Sequence, residues 1–418
     1  MDLAARPTAM DIADAGLRLG PVVRKTPLEI SERLTEELGY LVVLKREDTQ
    51  LCRSYKVRGA YALISSLPPE ERSRGVVCAS AGNHGQGLAY ACRQLEIRGR
   101  VFLPTNTPRQ KRERIEAIGA EWIETVITGS SYDEASAAAH ADSVNTGAVY
   151  VEPFDDARTI AGQGTVGVEL LDQLVVPLDT AVLPIGGGGL AAGVATWLRQ
   201  HSPDTYIVGA EPAGAASMQA ARDAGAPVRL PHVDTFVDGA AVGRVGDLTF
   251  PIVRDLVDEI VAVPEGAVCT EMLALYQTEG IIAEPAGALA IAALRGPLKR
   301  TPRGATACIV SGGNNDVSRY AEVVERSLIH EGLRHYFLVT FSQEPGALRG
   351  FLDAVLVHGE DIIAFEYVKK NNRETGPALV GIELERAADL DGLLERFSTS
   401  GLHIEQVPPG SPLFSFLL

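Results

Sequence analysis

Three short segments of this chain hold residue types that could do chemistry. The first is Ser54-Tyr55-Lys56-Val57-Arg58-Gly59-Ala60. An amine beside an aromatic ring, followed by close-packing Gly-Ala, suits a Schiff-base nucleophile, because partial desolvation helps a lysine lose its proton. Taken alone, a surface lysine with its stem along apolar surface is the commoner outcome. The second is Ser80-Ala81-Gly82-Asn83-His84-Gly85-Gln86-Gly87, after an apolar run and at the start of a helical pattern. Small residues let a ligand approach the backbone there, and free N–H groups at a helix start favour a carboxylate or phosphate. The third, Gly186-Gly187-Gly188-Gly189, is entropically expensive unless the backbone must wrap something, and an oxyanion fits.

That glycine run has a second reading. Gly187, Gly189 and Ala192 satisfy the G-x-G-x-x-A dinucleotide fingerprint, and Glu211 follows at about the ~20-residue distance of a ribose-binding acid. A nicotinamide-dependent oxidoreductase is therefore one expectation, on a weak signal. Two further clusters, Glu284-Pro285-Ala286-Gly287-Ala288 and Ser311-Gly312-Gly313-Asn314-Asn315-Asp316, could each be only a turn. Together the Gly/Ser/Asn-rich segments fit one crevice, since ligands bind at the carboxyl ends of parallel strands.

The elements that must position these segments alternate. Leu41–Leu44, Gly75–Ala79, Arg100–Leu103, Ala181–Ile185, Tyr206–Ala210 and Ala307–Val310 read as strands, several apolar throughout, as in sheets covered on both faces. Helical patterns such as Arg109–Ile118 lie between them, so the body is α/β with open parallel sheets. From about residue 330 the pattern changes to strand (335–341), helix (345–357), strand (361–369), strand (378–385), helix (390–399) and strand (402–407). That order is the ferredoxin-like arrangement. Phe337, Val339 and Phe341 alternate along its first strand. Leu348, Phe351, Leu352 and Val355 share one face of its first helix. The junction Glu331–Arg334 is short, which predicts a docked module.

Composition narrows the function classes. The chain has 418 residues, enough for two or three domains at roughly 100–200 residues each, and a net charge of −16. Such an acidic protein repels phosphate backbones and anionic lipid, so no nucleic acid or membrane partner is expected. The longest uncharged stretch, Thr180–Leu198, contains Pro184 and the glycine run, and reads as strand, loop and helix start rather than a membrane span. Cys52, Cys78, Cys92, Cys269 and Cys308 form no Cys-x-x-Cys pair, which argues for a reducing compartment and against a zinc site; the cytoplasm is the expected location.

As a set, the five motifs resemble the fold-type II enzymes that use pyridoxal 5′-phosphate, and among them the biosynthetic threonine dehydratases (threonine ammonia-lyases). The resemblance spans nearly the whole chain. It implies two open parallel-sheet domains of the tryptophan synthase β-like type over residues 1–329, the smaller of about 48–155 inserted in the larger. An ACT-like regulatory domain would fill 330–418. It implies that Lys56 bonds covalently to the cofactor and removes the substrate Cα proton. Tyr55, where the family usually has Phe, would pack on the ring, and Asn83 would bond the ring hydroxyl. Ser80, Ala81, Gly82, Asn83 and His84 would hold the substrate carboxylate. Gly186, Gly187, Gly188 and Gly189 would cradle the phosphate, which favours phosphate over dinucleotide for that loop. Ser311 would face the pyridine nitrogen. A serine there does not stabilise a protonated ring as an aspartate would, so β-elimination is favoured over transamination.

The implied reaction converts L-threonine to 2-oxobutanoate and ammonia through loss of water, assisted by the cofactor phosphate, and an enamine. It is the first step of isoleucine biosynthesis. L-Serine is an expected second substrate, since a methylene discriminates by only about 1–3 kcal/mol. Serine racemases carry a second serine where this chain has Ala81, so racemisation is not expected. Related enzymes bind a divalent cation through a Glu and a nearby Asp; here Glu211 is followed by Ala215-Ala216-Ser217, and no metal is expected. Isoleucine would inhibit through the terminal domain, valine opposing it, with Phe365, Glu366, Tyr367 and Asn372 as candidate effector contacts; Phe365 and Tyr367 read equally as one face of a packed strand. A homo-oligomer, dimer or tetramer, is implied. A non-catalytic amino-acid sensor is the competing class; the intact Lys56, Asn83 and Ser311 argue against it.

Overall fold

The computed structural model describes residues 6–367, 374–408, 411, 413 and 414. Among these described residues the strands are β1 (Leu28–Ile30), β2 (Val42–Arg46), β3 (Val76–Ala79), β4 (Gly99–Leu103), β5 (Ile123–Ile127), β6 (Val149–Tyr150), β7 (Leu178–Pro184), β8 (Tyr206–Pro212), β9 (Glu259–Val263), β10 (Ala305–Val310), β11 (Arg334–Ser342), β12 (Glu360–Tyr367), β13 (Thr375–Leu384) and β14 (His403–Gln406). The chain divides into two compact units, Met1–Asp316 and Val317–Leu418.

The first unit holds two sheets. The larger runs β1-β2-β10-β7-β8-β9, parallel except that β1 pairs antiparallel with β2. The smaller, β5-β4-β3-β6, is parallel throughout. β10 is buried at every residue and pairs with β2 on one side and β7 on the other, which is why Ala-Thr-Ala-Cys-Ile-Val needs no polar face. The strands absent from the sequence reading are short or polar. β1 has three residues and β6 two, while β5 (Ile-Glu-Thr-Val-Ile) and β9 (Glu-Ile-Val-Ala-Val) sit at sheet edges.

Each sheet has its own core. Leu183, Leu190, Val194, Ile207 and Ile309 pack around the larger one; Leu63, Leu88, Val101 and Leu103 around the smaller. The helices Lys56–Ser65 and Ala157–Gln173 bind the two regions together by crossing closely. A Cβ on Gly162 would lie 2.6 Å from the Arg58 carbonyl oxygen and 2.8 Å from Gly59 Cα. Asp156 starts the second of these helices, its carboxylate accepting from the Arg158 N–H at 2.7 Å. Thr180–Leu198 is β7, a loop and the helix Gly189–His201, as its proline and glycines require.

The second unit has strand order β12-β13-β11-β14, antiparallel throughout, with the helices Ala347–Val355 and Leu390–Thr399 on one face. Phe337, Val339 and Phe341 enter the core with Phe351, Val380 and Phe397. Leu348 does not join them. The sequence pattern put it on the buried face, but it is 42% exposed because that nine-residue helix buries only Phe351 and Val355 fully. The opposite sheet face is also apolar: Tyr336, Val407 and Phe414 cluster there with Ile329 and Leu379. Ile329 comes from the helix Tyr320–His330, which Tyr336 Oη ties to β11 by donating to Glu325 at 2.7 Å. That helix thus belongs with the terminal unit, which begins at Val317 where the sequence pattern suggested 330.

Candidate active site

The carboxyl ends of β3, β7 and β10 lead directly into segments that the sequence singled out, and β2 reaches Ser54–Ala60 by way of the turn Glu47–Thr49. Hydrogen bonds join those segments. Ser54 bridges to Gly312, and the Tyr55 N–H donates to the Ser311 carbonyl at 3.1 Å, fixing the start of the Lys56–Ser65 helix against the end of β10. Asn83 donates its amide N–H to Glu284 at 2.5 Å and accepts from Asn314 Nδ2 at 2.6 Å. Thus the ends of β2, β3 and β10 meet at one place.

Lys56 lies there, half-buried, 5.5 Å from the centre of the Tyr55 ring. Its Nζ donates to the Pro153 carbonyl at 2.9 Å. Burial lowers its pKa to about 8, with the Glu284 carboxylate pulling the other way. Glu284 is itself raised to about 7, first by burial, then by Asp238, while the hydrogen bonds from Asn83 and the Asn314 N–H oppose the shift. His84 donates through Nε2 to the Val151 carbonyl, 2.8 Å away, and burial followed by the Lys56 charge holds the ring neutral, its pKa down to about 3. A carbonyl accepts only, so Nε2 carries the hydrogen and Nδ1 is a bare acceptor, buried without a partner among the described residues.

The segment Val151–Asp156 carries more of the site than its sequence announced. Val151 and Pro153 supply the carbonyls for His84 and Lys56. Phe154 abuts the glycine loop, where a Cβ on Gly187 would lie 2.3 Å from its ring. Asp155 accepts from the N–H groups of Asp247, Leu248 and Thr249, capping the helix Thr249–Leu256. Glu152, raised to about 7 by burial and by Asp155 and Asp156, completes it. The adjacent acids before a helical pattern were the one available signal, and they mark a cap rather than a site.

The remaining candidates take these positions. Gly188 has φ +96° at the N-cap of Gly189–His201, and no side chain among the described residues caps that helix. Gly186 packs on Ala240 and Gly189 on Phe154, so the loop is glycine-rich for close packing as well as for bare amides. Gly82 likewise heads Asn83–Leu95 without a side-chain cap, and the space above its Cα is open for at least 4 Å. Ser80 Oγ accepts from the Gly82 N–H at 3.3 Å, and Ala81 packs on the smaller core. Ser311 Oγ, buried, donates to the Ala286 carbonyl at 3.0 Å; its hydrogen must turn to meet a ring nitrogen. Glu211 accepts from the Met218 and Gln219 N–H groups at 2.6 and 2.9 Å. Phe365 and Tyr367 lay their rings 6.0 and 6.2 Å from Phe341, centre to centre, and Glu366 is exposed. Asn372 lies outside the described residues.

The donor set fits pyridoxal phosphate. It offers an amine of depressed pKa, one uncapped helix start behind a glycine loop for a dianion, a second uncapped start above open space for a carboxylate, and an asparagine with an N–H to give. The Ser54 hydroxyl, buried beside Lys56 in sequence, has no partner among the described residues.

Comparison with known proteins agrees. Residues 19–313 match the pyridoxal-phosphate dependent enzyme family, and 325–417 the C-terminal regulatory domain of threonine dehydratase. The chain is 58% identical over 410 residues, 98% of its length and 95% of the relative's, to the L-threonine dehydratase biosynthetic IlvA of Mycobacterium tuberculosis. It is 53% identical over 414 residues, 98% and 95% of the two chains, to that of Corynebacterium glutamicum. Among solved structures, the processed form of threonine deaminase isoform 2 from Solanum lycopersicum superposes with a TM-score of 0.72 at 37% identity, covering 78% of this chain and 96% of that one. Maize serine racemase gives 0.72 at 33%, covering 78% and 99%.

Proposed function

Because the chain belongs to the pyridoxal-phosphate dependent threonine dehydratases, it is a lyase acting on L-threonine, and we propose that Lys56 carries the proton transfer. When bound, pyridoxal phosphate supplies the electron sink that stabilises negative charge at the substrate α-carbon. Lys56 would hold it through Nζ, Gly186–Gly189 and the start of the helix Gly189–His201 would receive its phosphate, Asn83 would donate to its ring oxygen, and Tyr55 and Ser311 would flank the ring. Ser80–His84 then binds the substrate carboxylate with backbone N–H groups, turning the Cα–H toward the amine. Displaced from the cofactor by the substrate amine, Lys56 Nζ would then be free to take that proton. Its lowered pKa gives it a sizeable neutral fraction near neutral pH, which a solvated lysine lacks. The β-hydroxyl would depart with a proton as water, and once Lys56 has recovered the cofactor the enamine set free would hydrolyse to 2-oxobutanoate and ammonia. The observation that carries this reading is a half-buried amine, bonded to the Pro153 carbonyl, at the place where hydrogen bonds join the segments after β2, β3 and β10. Release of 2-oxobutanoate from L-threonine, lost in Lys56→Ala, tests it; keto acid formation by that variant would overturn it.

The regulatory domain supports a narrower proposal. Isoleucine, the end product of the pathway that this reaction opens, inhibits by binding that domain, and valine opposes it. Phe365, Glu366 and Tyr367 on β12 are the proposed contacts. Phe365→Ala should weaken inhibition and leave turnover without isoleucine intact; unchanged sensitivity would remove that residue from the site. L-Serine is proposed as a second, poorer substrate. The enzyme is proposed to be a cytoplasmic homo-oligomer; among the described residues no helix is long and apolar enough to cross a membrane.

A further inference from the structure

We propose that Glu284 is a positioning residue: with Asn314 it fixes the side-chain amide of Asn83 so that the group left to meet the cofactor is an N–H. The inference rests on the cofactor reading above and assigns a role to a residue outside the set expected to touch the ring.

An asparagine amide presents two hydrogens on one side and an oxygen on the other, and it can turn end over end with little change of shape. In this site the two ends are not equivalent. Asn83 Nδ2 meets the Glu284 carboxylate at 2.5 Å, and an oxygen accepts there whether or not the acid is protonated on its other oxygen. Asn83 Oδ1 meets Asn314 Nδ2 at 2.6 Å. Asn314 is fixed in turn, because the same Nδ2 donates to the Cys52 carbonyl at 2.8 Å and so uses both its hydrogens. With Glu284 ionised, turning the Asn83 amide over would set oxygen against oxygen there, and in either protonation state it would set nitrogen against nitrogen at Asn314. Two repulsive contacts would replace two half-buried hydrogen bonds.

The carboxylate is held as firmly as the amide. The Asn314 N–H donates to the carboxylate, and the Glu284 backbone N–H donates to the Gly312 carbonyl at 3.1 Å, while the side chain makes no cap bond to the helix Pro285–Ala292. A Cβ on Gly312 would come within 2.2 Å of Glu284 Oε1, so the turn after β10 closes over the acid. One Asn83 hydrogen is therefore left without a protein partner among the described residues, and its amide does not offer its oxygen in that direction. A cofactor oxygen carrying negative charge is welcomed there, and one carrying a hydrogen is not.

The test uses the full-length, cofactor-loaded protein and reads its visible absorption and the rate of pyridoxal phosphate loss on dilution. Glu284→Ala frees the amide to turn. The band should change position and cofactor loss should quicken by roughly 10-fold, the effect of one buried hydrogen-bonding partner removed. Glu284→Gln keeps an oxygen facing Asn83 and should hold both readouts near wild type, within about threefold for the rate. Should Glu284→Ala fail to fold, Asn314→Ala removes the other contact and should move the band and the rate the same way. An unaltered band and rate in Glu284→Ala, or damage in Glu284→Gln equal to that in Glu284→Ala, would overturn the proposal. A wild-type protein with no band, or a band that survives Lys56→Ala, would instead bring down the cofactor reading and this proposal with it.

Discussion

Lys56 is one of seven lysines; its Nζ meets a carbonyl rather than a carboxylate, and burial lowers its pKa to about 8. Lys45 makes the contrast. It is fully buried yet bonded to the Glu169 carboxylate at 2.7 Å, the Gln173 side chain and the Thr26 carbonyl, a structural ion with no free orbital to offer. Lys56→Ala should reduce threonine turnover by at least ~10³-fold with the melting temperature of the cofactor-free protein nearly unchanged. Because the neutral amine is the reactive form, the rate at which cofactor-depleted protein takes up pyridoxal phosphate should rise with pH and level off above about 8. A rate flat across that range would refute the depressed pKa. Glu211 supplies a stability test. Burial raises its carboxyl from 4.5 to about 7 against the two backbone N–H bonds. A folded-state pKa raised in this way contributes stability in full below the ordinary value, and that contribution is lost as pH climbs through about 7. Wild-type melting temperature should therefore fall more steeply than that of Glu211→Gln between about pH 5 and 8. Parallel slopes would sink the assignment.

At the level of elements, the helix Lys56–Ser65 is aimed by its third residue. Arg58, 1% exposed, is paired with Glu47 at 2.8 Å and Glu169 at 2.7 Å, joining the turn after β2 to the helix Ala157–Gln173. A buried ion pair need not add stability, yet removing one partner leaves charge stranded. Arg58→Ala should destabilise the fold by about 3–5 kcal/mol in denaturant unfolding, since Glu47 is fully buried too. The glycine loop offers the complementary case. Gly187→Ala would drive a methyl toward the Phe154 ring, and overpacking of that kind costs about 1–3 kcal/mol. Its larger effect should be on cofactor retention, read as a raised dissociation constant for pyridoxal phosphate. Retention equal to wild type would mean that the loop's amides are not the phosphate site.

For the whole molecule, the division at Asp316/Val317 sets the experiment. A chain ending at Asp316 keeps every residue proposed to touch cofactor or substrate. It should retain threonine turnover and lose inhibition by isoleucine. Ending instead at Leu333 would leave the helix Tyr320–His330 without β11, whose Arg334 pairs with Glu325, and would expose Ile329. The longer truncation product should therefore be the less soluble of the two. Isoleucine inhibition surviving removal of the terminal unit would place the effector elsewhere.

The sequence alone determined the fold class, the order of the ferredoxin-like module and the segments that line the site, because strand-end loops rich in Gly, Ser and Asn report the geometry that a ligand demands of the backbone. It was blind to β1, β5, β6 and β9, whose pairing depends on neighbours distant along the chain rather than on their own patterns. Only the tertiary structure brought Val151–Asp156 under Lys56 and His84, set Glu284 against Asn83 across 201 positions, and exposed Leu348. The physical reason is the same in each case. Hydrogen-bond partners and burial belong to surfaces that exist only after distant segments have packed, and a local pattern carries no record of what it will face.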